Sequence, residues 1–147
     1  MAMLELFNFL HFLGLAFGLG GATIATFISF KAEKDKDIAK VQGKIMNFIS
    51  KFIFMGLVLL IISGIAIPYY MTWPLNKQLL LVKHILVVWI VVIGFFIGRA
   101  SKKAGVFAPV GKEKIKSEFL IAKKQVKFFS LINLVLWYVV TLLSAFV

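Results

Sequence analysis

Long apolar runs alternate with short charged ones along this chain. Four runs, at about residues 4–30, 48–71, 77–99 and 126–147, contain few charged positions. Each is close to the roughly 20 residues that a helix needs to cross a bilayer. Between them lie KAEKDKDIAKVQGK (31–44), the short link PYYMTWPLNK (68–77) and the longer segment RASKKAGVFAPVGKEKIKSEFLIAKKQVK (99–127). The pattern predicts an all-α fold: an integral membrane, up-down-up-down four-helix bundle forming a single domain over 1–147. Pro68 is expected to end span two, and Pro109 to mark a turn. The first run lacks a basic leading segment and is too long for a cleavable signal, so it is expected to stay as a helix.

Composition agrees with lipid as the solvent. Of 147 residues, 61% are hydrophobic, and the mean hydropathy is +0.98. A soluble domain of this size cannot hide that much apolar surface. The absence of cysteine excludes disulfides, thiolate metal sites and covalently attached c-type haem.

Charge then orients the chain. The formal charge is +11, and all of the 17 basic residues except Lys77 and Lys83 fall in or beside the first and third connections. Basic connections stay in the cytoplasm, so both termini are expected outside the cell's inner or plasma membrane. Tyr69, Tyr70 and Trp73 then fall at the outer interface. The charge is read as orientation and contact with anionic lipid heads, and no nucleic-acid partner is expected.

Two histidines, His11 and His84, are the only imidazoles. Each lies seven residues inside its span, roughly 10 Å below the outer boundary. Spans one and three sit on a diagonal of an up-down bundle, so the two rings can face each other through the core. Gly14, Gly18 and Gly21 follow His11 at +3, +7 and +10, on the histidine's face. That stripe, with Gly64 beside Ser63 on span two, would clear room for a flat ligand. Gly94 and Gly98 form a deeper GxxxG. Asn8 is placed to hold the second nitrogen of His11. Lys77 and Lys83 are candidates to neutralise the ligand's acid groups. On span four, Ser130, Asn133, Trp137, Thr141 and Ser144 make a polar line expected to turn inward. Trp89, Trp137 and Tyr138 are read as core packing.

Two neutral imidazoles on opposed helices suit a b-type haem with both axial positions filled. Copper is the alternative; a bare ion held by His11 and His84 would want further donors, and few lie at that depth. The expected function is therefore bis-histidine haem binding and one-electron transfer, making the chain a membrane oxidoreductase candidate. Its partner would be a quinone, a periplasmic electron carrier or an oxygen species. A non-catalytic scaffold subunit, whose histidines only hydrogen-bond, is the other reading.

The stretch LHFLGLAFGLGGATI resembles the first helix of small membrane proteins of the copper-resistance protein D family. There a Leu-His pair is followed by a Gly-Gly pair nine and ten residues after the histidine, as Gly20 and Gly21 follow His11. FMGLVLLIISGIAI and LNKQLLLVKHILVV resemble the corresponding second and third helices, where a lysine near the start is usual and Lys83 fits. The same superfamily includes a haem-binding membrane protoporphyrinogen oxidase, so the resemblance implies a four-helix membrane fold and a tetrapyrrole role. Gly18 stands where that family usually has tryptophan, and the oxidase's Trp-Ala-Gly run is absent, so its activity is not implied.

Overall fold

The computed structural model describes residues 2–32, 34–71, 76–107, 113–144 and 146, with side chains throughout except those of 36, 39, 40 and 102–119. They form four helices: α1 (Ala2–Lys31), α2 (Lys36–Tyr70), α3 (Lys77–Phe107) and α4 (Glu113–Leu143). All four are long and apolar enough to cross a membrane, over Ala2–Lys31, Val41–Tyr70, Lys77–Ser101 and Leu120–Leu143. The chain is an all-α four-helix membrane protein.

The helices reach further into the charged connections than the apolar runs suggest. Asp35 caps α2, its carboxylate accepting from the backbone N–H groups of Asp37 at 2.9 Å and Ile38 at 3.2 Å. The cap satisfies orphan donors of the first turn, so most of 31–44 is helix rather than loop. Asn76 serves α3 in the same way, accepting from the N–H of Leu79 at 3.3 Å. Pro68 does not end α2; the helix runs to Tyr70, and the N–H of Met71 closes it on the carbonyl of Ile67 at 3.1 Å. Proline has no N–H, so the carbonyl of Gly64 loses its helical donor. Pro109 and Trp73 lie outside the described residues.

α1 packs along α2 and along α4, and α4 packs along α3; among the described residues, α2 and α3 do not pack along each other. Three sides of an up-down square are thus closed and the fourth is open. One end of the bundle carries the 71–76 link, and is called here the link end. The other end carries the basic segments.

Glycine sets the closest seam. A Cβ on Gly56 would run into the backbone nitrogen of Gly18 and stand 2.7 Å from the carbonyl oxygen of Gly14. A Cβ on Gly14 would stand 2.8 Å from Leu60 Cγ, and one on Gly21 would stand 2.7 Å from Ile53 Cγ1. On its other flank, Gly18 is pressed against the indole of Trp137. Lipid tails are as apolar as leucine, so association between membrane helices relies on close contact, which small residues permit. This corrects the expectation that Gly14, Gly18 and Gly21 clear room for a ligand: α2 and α4 fill that room.

The core holds Ala22, Ile90, Trp137 and Val140. The polar line of α4 does turn inward, with Ser130, Asn133 and Trp137 buried and Thr141 and Ser144 half-buried. Trp137 is core as expected, at 1% exposure, but Trp89 and Tyr138 face outward. Buried Thr26 and Ser29 on α1 satisfy their hydroxyls locally, each donating to the carbonyl four residues back at 2.9 Å. Asn133 Oδ1 and Trp137 Nε1 are buried with no partner among the described residues.

Candidate ligand site at the link end

Each helix presents a row of side chains to the core, and the rows change character towards the link end. On α2, Ile53, Leu57 and Leu60 pack on the core, and the next position on that row is Gly64. On α3 the row is Ile90, then Leu86 and Val87, and then Lys83, seven residues from Ile90 and so on the same face. On α1, Leu19 and Leu15 lead to His11. On α4, Trp137 and Val140 lead to Thr141 and Ser144. An apolar floor therefore gives way to His11, Gly64, Lys83 and two hydroxyls, with Ser63 beside them.

Hydrogen bonds fix the state of His11. Ser63 is fully buried, and its hydroxyl donates to the carbonyl of Leu59 at 2.6 Å. With its single proton committed, Ser63 Oγ accepts from His11 Nδ1–H, 2.9 Å away. The ring is then the Nδ1–H tautomer, and Nε2 carries a free lone pair. No described residue is bonded to Nε2. Lys83 is half-buried on the row of α3 that leads down to Ile90. Thr141 and Ser144 donate to backbone carbonyls on their own helix, both at 2.8 Å, leaving their oxygens as acceptors. A Cβ on Gly64 would meet no described residue within 4 Å.

The site thus brings together His11, Ser63 and Gly64, with Lys83 on the core-facing row of α3 at the same end. It does not include His84. That residue lies one position on from Lys83, about 100° around the helix. His84 is exposed, and its Nδ1 is bonded to the carbonyl of Leu80, 2.7 Å away on its own helix. α1 and α3 do not pack along each other among the described residues, and no bond joins the two imidazoles. Lys77 is exposed and, seven residues before His84, shares that outward face rather than the face of Lys83. Asn8 forms no bond with His11; Ser63 takes the role expected of it. The signal for that was present, since Gly56 and Ser63 are small residues seven apart and mark the face of α2 that meets α1.

Elsewhere, an open groove of about 470 Å³ runs along the outside of α1 and α4, lined by Leu15, Ala16, Leu19, Gly20, Thr23, Ile24 and Tyr138. The Thr23 and Tyr138 hydroxyls stand 3.4 Å apart there. Gly94 and Gly98 are exposed, with no described residue within 4 Å of where a Cβ on either would stand. Among the described residues no three histidine or carboxylate groups gather as a metal site would require.

The donor set decides what kind of metal group fits. A bare copper ion would find one free imidazole nitrogen and no carboxylate or thiolate partner. A haem brings four nitrogens of its own and requires only one from the protein. His11 can supply that nitrogen, Lys83 a counter-charge for a propionate, and Gly64 space. No family model, no curated protein and no solved structure matches this chain.

Proposed function

We propose that this chain is an integral membrane haem protein in which His11, through Nε2, would hold the haem iron. The observation that carries the reading is the Ser63–His11 bond, which leaves that nitrogen unprotonated and aimed away from its anchor. Anchoring the other ring nitrogen is how ligating histidines are oriented and made more basic. Lys83 offsets the charge of a propionate, and the missing side chain at Gly64 makes room beside Ser63. When bound, the iron would supply one-electron redox chemistry. A quinone in the bilayer or a soluble carrier at the link end would exchange electrons with it. The resemblance of LHFLGLAFGLGGATI to the copper-resistance protein D family supports a tetrapyrrole role and rests on those residues. The basic connections support placing that end of the bundle in the cytoplasm and the link end outside.

A second reading has its own observation. Gly14, Gly18 and Gly21 all serve helix packing, as a scaffold subunit would use them, and the His11–Ser63 bond also ties α1 to α2. The two readings part on colour. Purification with haem supplied should give a Soret band in the wild type and in His84→Ala, and none in His11→Ala. A colourless wild type with His11→Ala altered only in stability would establish the scaffold instead. Stoichiometric copper without haem would favour metal handling.

A further inference from the structure

Of the four sides of the bundle, the open one borders the site. The α1–α2 seam is sealed where Gly14 meets Gly56 and Leu60, and the α1–α4 seam where Gly18 meets Trp137. α3 packs on α4, but among the described residues α2 and α3 do not pack along each other; they meet only through side chains that share the core. Those two helices contribute Ser63, Gly64 and Lys83. At Gly64, moreover, a side chain that would narrow the opening is missing, and no described residue lies within 4 Å of where its Cβ would stand.

An open seam inside a bilayer fills with acyl chain, so whatever reaches the site from this side arrives from lipid and not from water. Lys83 adds a selection. Ionisable groups within a span face the interior and pair with an opposite charge, yet Lys83 forms no ion pair among the described residues. The one described carboxylate at this end, Glu5, is exposed in the first turn of α1. The counter-charge is therefore left for a ligand to bring.

We infer that the α2–α3 side is the entrance to the site, admitting a flat, lipid-soluble acid from the bilayer whose carboxylate is taken by Lys83 as its ring reaches His11. The identity of the ring rests on the haem reading; the entrance does not. Without the ring, a lipid acyl chain lies in the opening and is displaced as the ring enters.

Photolabelling tests both parts. The full chain is reconstituted in phosphatidylcholine vesicles carrying a diazirine in the acyl chain, illuminated, and its adducts mapped by mass spectrometry. Adducts are expected on the inward positions Leu60, Gly64 and Leu86, with none on Trp137. Haemin should remove the adducts at Gly64 and Leu86, and Lys83→Gln should abolish that protection while leaving the adducts in place. Absence of adducts at all three inward positions would overturn the entrance. Adducts that persist after haemin has bound, shown by its Soret band, would overturn the route. Adducts with no haemin binding at all would uphold the entrance and overturn the proposed occupant.

Discussion

Where the proton of Ser63 goes decides what His11 can offer. Because that hydroxyl donates to Leu59, it can only accept from the imidazole, and the other ring nitrogen is left for a ligand. Ser63→Ala should therefore lower haem affinity by about tenfold or more, read by haemin titration. Its cost in stability should be smaller, about 1 kcal/mol, as interhelical bonds in membranes are worth. Burial without a partner marks the opposite case at Asn133. Replacing an unsatisfied amide with an apolar group of similar size removes a desolvation penalty of about 1–3 kcal/mol. Asn133→Leu should raise the midpoint of thermal unfolding in detergent; a lower midpoint would mean that the amide has a partner in the membrane. The sequence placed His11, Lys83 and Ser63 at matched depth, but not on faces. His84 and Lys83 are neighbours, and only a full helical register, anchored by Ile90 in the core, distinguishes the inward one.

At the scale of the helix, glycine was legible and its purpose was not. A stripe at 14, 18 and 21 fits equally a ligand held against α1 and a helix drawn close to it. The difference lies in Gly56 on α2, which meets Gly14 and Gly18 across the seam. Nothing local to α1 encodes that partner. Gly56→Ala should destabilise the protein by about 1–3 kcal/mol, because the added methyl meets backbone that cannot turn aside. Gly98→Ala, where the space is open, should be neutral or slightly stabilising, since alanine is the better helix former. Thermal unfolding of the two variants in the same detergent gives the comparison; equal losses would place a hidden contact on α3. Pro68 shows a similar limit. Its lost hydrogen bond argued for a helix end, but capping by Met71 two residues beyond Tyr69 carries α2 past it.

For the whole molecule, four helices of membrane length were readable from hydropathy alone, since lipid demands internally satisfied backbone over a fixed thickness. Their neighbours were not fully readable. An up-down order implies four sides, and the structure closes three. The charge pattern also makes a prediction about sidedness that the absence of cysteine makes simple to check. In intact cells, an impermeant maleimide should label Asn76→Cys and leave Asp35→Cys untouched until the membrane is broken. The reverse result would invert the molecule and place the site on the cytoplasmic side. The central claim, that one imidazole holds the ligand, is tested most directly by the reduced-minus-oxidised absorbance spectrum of three purified proteins. Wild type and His84→Ala should show the same haem bands and His11→Ala none; bands lost in His84→Ala, or kept in His11→Ala, would contradict the account.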